Sequence, residues 1–258
     1  MSSTAAPPPD KEFMATLAKG LAVLGAFGSE RPTMTLSEAA ATSGLSRAAA
    51  RRVLRTLAEL GYVTHDGRRF ALAPRILELG FAYLSTQSWV DRAEPLMKEL
   101  SHDVQESCSA AILQNAEVVY VARMPAPHRI MSVTLAVGTR LPAFYTALGR
   151  VQLGFLAPDE LNRRLALKGP PPTDGAIADR RALTARIAAD RAQGYAIVDE
   201  ELEKGLRSIA VPVLTRTGVN VGAINLSGHT SRVSRGDLRN DFLPKLRAVA
   251  QAIAPTLA

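Results

Sequence analysis

The segment from Thr35 to Gly61 constrains the fold most, because it contains two closely spaced helix starts, each followed by a glycine stop. Thr35 followed three residues later by Glu38 is typical of a capping box at a helix N-terminus. Gly44 predicts the end of this short helix, and Ser46 is a favourable N-cap for a second helix that ends near Gly61. Two helices joined by a tight glycine turn indicate a helix-turn-helix motif.

Further elements flank this helix pair on both sides. Before it, apolar residues recur every three or four positions, which predicts a first helix with one buried face: Phe13, Leu17, Leu21, Leu24 and Phe27. After it, the extended runs Tyr62–Thr64 and Phe70–Leu72 are joined by a turn containing Gly67, which predicts a β-hairpin. Helices followed by a hairpin of this kind indicate a winged helix-turn-helix domain, which we assign to residues 11–73.

Basic residues are concentrated in the same region. The 258-residue chain carries a formal net charge of +7, and the segment from Ser46 to Arg75 contains seven arginines and two acidic residues. A local excess of this kind favours a polyanionic partner such as DNA. We expect Arg47 to contact base edges, while the small residues from Ala48 to Ala50 let the helix approach closely. The candidate DNA-binding residues are Thr35, Ser37, Ser46, Arg47, Ala48, Arg51, Arg52, Arg55, Arg68 and Arg69.

Two other interpretations of this region remain open. A helical protein-interaction module would explain the apolar stripes equally well, and an arginine-rich composition can reflect the base composition of a genome. Neither explains why arginines occupy both predicted contact points, with Arg68 and Arg69 at the hairpin tip, where they could reach a minor groove or its phosphates. Double-stranded DNA is therefore the preferred partner.

The remaining sequence predicts a connecting helix and a larger second domain. Pro74 ends the hairpin, and apolar residues at near-helical spacing predict a linker helix within residues 74–90. Over residues 91–258, helices predicted near 91–104, 147–156, 180–194 and 236–253 are mixed with strands near 110–113, 118–121, 130–137, 196–198, 209–214 and 219–227. This pattern indicates an α+β fold. We expect residues 1–10 to be a disordered tail.

The sequence offers little support for an enzymatic, metal-binding or membrane function. The single cysteine, Cys108, excludes an intrachain disulfide and a multi-thiolate metal site, and the four histidines lack ligand spacing. No dinucleotide, nucleoside-triphosphate, nucleophile-elbow or zinc-protease motif occurs, and we do not assign a nucleophile in Ser227-Gly228-His229. No apolar run approaches the roughly 18 residues of a membrane span. We expect a cytoplasmic protein without a cofactor, a metal or a catalytic site.

Several strings of residues resemble the IclR family of bacterial transcription regulators. In the first domain these strings are Leu36–Ala40, Gly44–Arg52, Leu60–Val63 and Arg75–Gly80, and in the second they are Gly205–Ala210 and Asn225–Gly228. Three more most resemble the branch that regulates catabolism of aromatic acids through protocatechuate and the β-ketoadipate pathway: Ala48–Arg52, Leu79–Leu84 and Val198–Leu202. The resemblance implies a regulator that binds operator DNA, a GAF-like effector domain, and a homodimer or dimer of dimers formed through the linker helix.

The resemblance also implies where a small carboxylate effector binds. In the family, such a ligand lies against backbone amides at the start of the helix within Leu141–Gly149, which corresponds here to Ala147 and Leu148. Members that bind small oxo-acids look to have cysteine where this chain has Ser208, and serine where it has Asn225. These departures argue against a glyoxylate-like ligand and favour a larger acid. We expect an aromatic acid such as protocatechuate or 4-hydroxybenzoate, or an intermediate of the β-ketoadipate pathway.

A buried carboxylate also needs a cation or several donors, for which Arg123 and Arg129 are candidates. Met131 and Tyr145 are candidate walls of the same pocket. The full set of candidate effector residues is Arg123, Arg129, Met131, Tyr145, Ala147, Leu148, Asp199, Ser208, Asn225 and Ser227.

Two further functions compete with a ligand-controlled regulator. One is an enzyme or metabolite-binding protein for a small aromatic acid, with an accessory helical domain; turnover that disappears on mutation of Ser227 would support it. The other is a DNA-packaging protein, which would bind DNA without sequence preference and without a ligand effect.

Overall fold

The computed structural model describes residues 12–126 and 135–254. The chain divides into two compact units between Ser85 and Thr86. The tail predicted for residues 1–10, the candidate effector residues Arg129 and Met131, and most of the strand predicted for 130–137 lie outside the described residues. The described positions 135–137 do not form a strand.

The first unit has the predicted winged helix-turn-helix architecture. Its helices are α1 (Ala15–Gly25), α2 (Leu36–Thr42), α3 (Arg47–Glu59) and α4 (Ile76–Leu84), and its strands are β1 (Thr33–Met34), β2 (Val63–His65) and β3 (Phe70–Leu72). The strands form an antiparallel sheet in the order β1-β3-β2. The β2–β3 hairpin confirms the prediction, whereas β1, which pairs with β3, was not predicted. The linker prediction for residues 74–90 corresponds to α4, which ends at Leu84.

The apolar face predicted for the first helix is less buried in the structure than the sequence analysis predicts. Phe13, Leu17 and Leu21, which the periodicity placed on a buried face, are each more than half exposed. The buried residue of α1 is Val23, which belongs to the core of the unit, and Phe27 packs partly buried against that core. Periodicity identifies an apolar helix face, but it does not identify what covers that face.

The second unit is built on a six-stranded antiparallel sheet in the order β6-β5-β4-β9-β8-β7. The strands are β4 (Ser107–Gln114), β5 (Glu117–Met124), β6 (Arg140–Pro142), β7 (Ala196–Asp199), β8 (Leu206–Leu214) and β9 (Asn220–His229). The helices are α5 (Ser88–Val104), α6 (Ala147–Leu153), α7 (Pro158–Ala166), α8 (Arg180–Gln193), α9 (Arg235–Asp237) and α10 (Leu243–Ile253). A 3-10 turn, Ala143–Tyr145, precedes α6, and a π-helical turn, Leu238–Phe242, joins α9 to α10.

Successive residues of β9 face opposite sides of this sheet. Gly222 lies against α5 so closely that a Cβ there would be 2.6 Å from a ring carbon of Trp89. The next residue, Ala223, belongs to the core cluster that contains Leu148 and Val151 of α6. Helices therefore cover both faces, which confirms the α+β prediction for this part of the chain.

Several element boundaries differ from the sequence predictions. Helix α5 begins at Ser88 rather than Asp91, and α6 ends at Leu153. Neither β6 nor α7 was predicted, and the π-helical turn interrupts the helix predicted for 236–253. Within residues 12–126 and 135–254, no helix combines the length and apolar character that a membrane crossing requires.

Candidate functional site

The N-terminal half of α3 presents a basic surface. Ser46 caps the helix by accepting a hydrogen bond from the Ala49 amide, with a donor–acceptor distance of 3.2 Å. Ala50 is fully buried, so it is not part of the contact surface predicted for 48–50. The apolar residues Val53, Leu54, Leu57 and Leu60 recur at helical spacing and predict a buried stripe on this helix, but Leu60 is 51% exposed. The 3.6-residue period explains the burial of Ala50, which shares the inner face of the helix with Leu54. The exposed candidates are Arg47, Ala48, Arg51, Arg52 and Arg55.

The charges of these arginines are not neutralised locally. Among the residues that the structure describes, no acidic side chain forms a salt bridge with Arg47, Arg51, Arg52 or Arg55. Their shared exposed face, following a capped helix start, is the arrangement with which recognition helices meet a major groove and its phosphates.

Two further candidate DNA-binding residues, Thr35 and Ser37, lie at the start of α2. The Thr35 amide donates to Glu38 Oε2 at 2.7 Å, and Thr35 Oγ1 accepts from the Glu38 amide at 3.3 Å, which confirms the predicted capping box. Thr35 is half-buried and occupied by this cap, whereas Ser37 is exposed. Gly44 has a φ of +66°, as the tight turn between α2 and α3 requires.

The two arginines of the hairpin tip have different environments. The Asp66 carboxylate accepts hydrogen bonds from the amides of Arg68 and Arg69, at 2.9 and 2.7 Å, which lower the pKa of Asp66 and fix the turn. The Arg68 side chain is exposed. The Arg69 guanidinium instead bonds Thr33 Oγ1 at 2.8 Å and Glu38 Oε2 at 3.2 Å, so it joins the hairpin to β1 and α2.

The second unit contains a cavity of about 710 Å³ on the α6 side of its sheet. One wall is the start of α6. Another is formed by residues 202–205, which connect β7 to β8, and by Leu206 at the start of β8. The cavity brings together the following predicted effector residues: Arg123, Tyr145, Ala147, Leu148, Ser208, Asn225 and Ser227.

Strand register explains why the polar residues converge. Arg123 of β5, Ser109 of β4 and Asn225 of β9 are directly opposite one another across three adjacent strands. Opposed residues in antiparallel strands point to the same face, so these three side chains form one transverse row. A second row, displaced from the first by two residues along β9, contains Ser107, Ser227 and Ser208. The two rows form a polar floor of the cavity.

The predicted effector residue Asp199 does not line this cavity. Its neighbour Val198 does, and consecutive residues of a strand face opposite sides of the sheet. The Asp199 carboxylate accepts from Arg207 Nε and Arg235 Nε, both at 2.6 Å. Partial burial raises the pKa of Asp199, but these hydrogen bonds outweigh burial and hold the pKa below its ordinary value.

The start of α6 forms one wall of the cavity. Thr146 caps the helix, with its Oγ1 accepting from the Gly149 amide at 3.1 Å, and Ala147 and Leu148 line the cavity beside it. A Cβ at Gly149 would be 2.2 Å from the backbone oxygen of Ala143, so the helix and the preceding 3-10 turn are in close backbone contact. This wall is therefore rigidly placed.

Arg123 and Asn225 are the polar groups of the floor that a ligand would meet at opposite ends of the first row. Arg123 donates from Nη1 to Ser109 Oγ at 3.2 Å, and partial burial lowers the pKa of its guanidinium, which favours an anionic neighbour. Asn225 is 5% exposed, and its Oδ1 is buried without a hydrogen-bond partner among the described residues.

Several charged and polar lining residues were missed by sequence reasoning. Lys204, His229 and Arg232 contribute to the lining together with Glu106 and Glu203, and Arg232 Nε lies 3.4 Å from Glu106 Oε1. His229 could have been found from the period of two along β9, which places it on the same face as Ser227, whereas Lys204 and Arg232 lie outside the strands. His229 Nδ1 lies 2.7 Å from Ser231 Oγ.

A buried ion pair anchors the loop that closes the cavity. Arg150 of α6 is completely buried, and its guanidinium binds both carboxylate oxygens of Glu201, at 2.9 and 2.5 Å, and the carbonyl of Phe144 at 3.2 Å. Its Nε lies 3.8 Å from the buried carboxylate of Asp190 on α8. Because Glu201 directly precedes the lining residue Leu202, the pair holds the loop against α6.

Comparisons with known proteins agree with this architecture. The model of the IclR helix-turn-helix domain matches residues 16–67, and the model described as bacterial transcriptional regulator IclR C-terminal matches residues 81–255. A crystal structure of a transcriptional regulator from Rhodococcus sp. RHA1 is similar, with a TM-score of 0.82, 46% identity, and coverage of 95% of this chain and 98% of that chain.

Curated relatives are similar over nearly the whole chain. The Pca regulon regulatory protein of Pseudomonas putida is 40% identical over 96% of this chain and 86% of its own length. The p-hydroxybenzoate hydroxylase transcriptional activator of Acinetobacter baylyi is 35% identical over 94% of this chain and 92% of its own length. These matches and the helix-turn-helix unit establish that the chain belongs to the IclR family of bacterial transcriptional regulators and is a DNA-binding regulator rather than an enzyme.

Proposed function

We propose that this regulator reads its operator with the N-terminal half of α3. Arg47 contacts base edges in the major groove, while Arg51, Arg52 and Arg55 bind phosphates. Arg68, at the hairpin tip, reaches the adjacent backbone or minor groove, whereas Arg69 is a supporting residue because its guanidinium is occupied by Thr33 and Glu38. The observation that carries this proposal is the capped α3, whose exposed arginines lack acidic partners.

The proposed interface is tested by fluorescence anisotropy with a DNA fragment from the promoter region of the regulated genes and with scrambled DNA. We expect Arg47→Ala to weaken operator binding by about 10-fold or more, with a smaller effect on scrambled DNA. Arg52→Ala weakens binding to both DNAs and lowers the salt slope by about 1. Arg216→Ala, at an exposed site of the second unit, is the control. Wild-type affinity of the Arg47 variant for the operator would refute the assignment.

We infer that the functional assembly is a homodimer, which matches the need of a small DNA-binding module for a second half-site. The dimer interface would cover apolar side chains that are more than half exposed in the single chain: Phe13 and Leu17 of the N-terminal region, and Leu77 and Phe81 of α4. Sedimentation should give a dimer at micromolar concentration, which Phe81→Glu dissociates and the exposed control Val219→Glu does not. A wild-type monomer, or a dimeric Phe81 variant, would contradict this inference.

We propose that the cavity binds an aromatic acid as the effector. Arg123 supplies a positive charge for the carboxylate, and the ring packs between Tyr145, Leu148 and Leu141. One relative is named as the transcriptional activator of p-hydroxybenzoate hydroxylase, and a fold relative from Microbacterium hydrocarbonoxydans was crystallised with 4-hydroxybenzoate. Effector binding regulates transcription by favouring one arrangement of the DNA-binding units over another.

Calorimetric titration of the full chain with a panel of benzoates tests the proposed effector class. At least one hydroxylated benzoate should bind, and Arg123→Leu should weaken that binding by about 10-fold or more, because the carboxylate loses a charge-assisted partner. Arg216→Leu is the matched control. Flat titrations with every aromatic acid would exclude this effector class.

A further inference from the structure

A second, smaller cavity lies beside β7, the last strand of the six-stranded sheet. Its volume is about 240 Å³, compared with about 710 Å³ for the cavity that α6 borders. Val198 of β7 lines the larger cavity, whereas its neighbours Ile197 and Asp199 line the smaller one, because successive residues of a strand face opposite sides. The smaller cavity, which we call the edge cavity, is therefore a separate site.

Three arginines line the edge cavity, and they come from two separate segments of the chain. Arg186 belongs to α8, Arg235 to α9, and Arg239 to the π-helical turn that follows α9. Arg235 and Arg239 are four residues apart in consecutive helical turns, a spacing that brings side chains to the same side. The fold thus directs three positive charges to one small cavity.

The two acidic side chains of the edge cavity do not neutralise these three arginines. Both carboxylate oxygens of Glu201 accept hydrogen bonds from Arg150, which does not line the cavity. Both carboxylate oxygens of Asp199 accept from Arg207, which does not line it either, and Oδ2 also accepts from Arg235 Nε at 2.6 Å. The acidic charges are therefore compensated by other arginines, and positive charge is in excess at the cavity.

The terminal nitrogens of the three lining arginines have no acceptor in the protein. Arg186 is positioned through Nε, which lies 3.0 Å from Asp190 Oδ1. Arg235 is positioned in the same way through Asp199. Among the described residues, none accepts a hydrogen bond from the Nη atoms of Arg186, Arg235 or Arg239. Guanidinium groups with free terminal N–H groups at one cavity favour an oxyanion, which can accept two parallel hydrogen bonds from each group.

We propose that the edge cavity binds a phosphate group, either as inorganic phosphate or as part of a small phosphorylated metabolite. A phosphate monoester carries about −1.5 to −2 charges at pH 7 and three strong acceptor oxygens, which match three guanidinium groups. A carboxylate carries one charge and two oxygens, so it matches them less well. The proposal does not depend on the effector class, because the residues of the two cavities are different.

Calorimetric titration of the full chain with inorganic phosphate, at constant ionic strength, tests the proposal. We expect saturable binding, which Arg239→Gln should weaken by about 10-fold because the anion loses a charge-assisted partner. Arg239 is exposed and has no side-chain partner among the described residues, so this substitution should not impair folding. Arg181→Gln, at an exposed position of α8 outside the edge cavity, makes the same change in charge and should retain the wild-type affinity.

Phosphate that did not bind saturably, or that bound Arg239→Gln as tightly as the wild type, would overturn the proposal. The second result would show that the anion binds elsewhere, for example at the arginines of α3.

Two further anions identify the source of the phosphate group and test its chemistry. Glycerol 3-phosphate that bound more tightly than inorganic phosphate would support a phosphorylated metabolite, and equal or weaker binding would support free phosphate. Acetate should bind at least about 10-fold more weakly than inorganic phosphate, because it carries less charge and fewer acceptor oxygens. An affinity for acetate equal to that for phosphate would overturn the assignment to a phosphate group.

Discussion

Replacing Arg150 by methionine should destabilise the second unit strongly. The completely buried guanidinium binds both oxygens of Glu201 and the Phe144 carbonyl. Methionine fills much of the same volume but leaves the Glu201 carboxylate, which is 8% exposed, without its cation. Breaking a buried ion pair on one side typically costs about 3–5 kcal/mol of unfolding free energy, because a charge remains buried and uncompensated.

Urea unfolding followed by tryptophan fluorescence measures this effect. The single tryptophan of the chain, Trp89, is buried in α5, so its emission reports on the second unit. With an m-value of about 2 kcal/mol per molar urea, a loss of about 4 kcal/mol lowers the midpoint by about 2 M.

Two further variants test the physical reason. Arg163 pairs with Glu160 on the exposed surface of α7, so Arg163→Met should change stability by less than about 1 kcal/mol. The double variant Arg150→Met/Glu201→Leu removes both charges of the buried pair and should recover about 2 kcal/mol or more relative to Arg150→Met. If Arg150→Met were no more destabilising than Arg163→Met, the buried pair would not stabilise this unit.

Three other substitutions have defined expected outcomes. Burial raises the pKa of Asp190 to about 6 despite the nearby arginines, so ionisation of this carboxyl lowers the stability of the folded state as the pH rises from about 4 to 6. The unfolding free energy of Asp190→Asn, measured by urea unfolding, should therefore rise relative to that of the wild type over this pH range, and the difference should level off above pH 7. Gly149→Ala places a Cβ against the Ala143 backbone and should cost about 2 kcal/mol or more and weaken effector binding in calorimetry. Ser46→Ala removes the α3 cap and should lower the unfolding free energy of the first unit by about 1 kcal/mol in thermal melts monitored by circular dichroism.

Local hydrogen-bonding signals predicted the first unit well. The Thr35–Glu38 capping box, the Ser46 cap and the glycine turn each depend on residues within a few positions of one another, so the sequence alone identifies them. The environment of Arg69 could not be predicted in this way. Its partners Thr33 and Glu38 are more than 30 residues distant and meet it only after β1 pairs with β3.

Strand register determines which of the residues that the resemblance grouped together line the cavity. Resemblance placed Ser208, Asn225 and Ser227 in one pocket, and strand register brings all three to the same floor. It also placed Asp199 there, but a shift of one residue along β7 turns a side chain to the opposite face. Lys204 and Arg232 were missed because residues outside the strands and helices have no periodic signal.

Helix α7 was missed although the sequence contains its start signals. Pro158 occupies the first turn, and Asp159 and Glu160 follow it there, a combination that favours a helix N-terminus. Its apolar face is short, with Leu165 as the buried residue, so hydrophobic periodicity alone did not reveal it.

The most direct test of the central claim is a crystal structure of the full chain grown with saturating 4-hydroxybenzoate. We predict difference density for the ligand in the cavity of the second unit, with its carboxylate on the Arg123 side. An empty cavity at saturating ligand, or a ligand bound elsewhere, would contradict the claim that this regulator senses an aromatic acid through these residues.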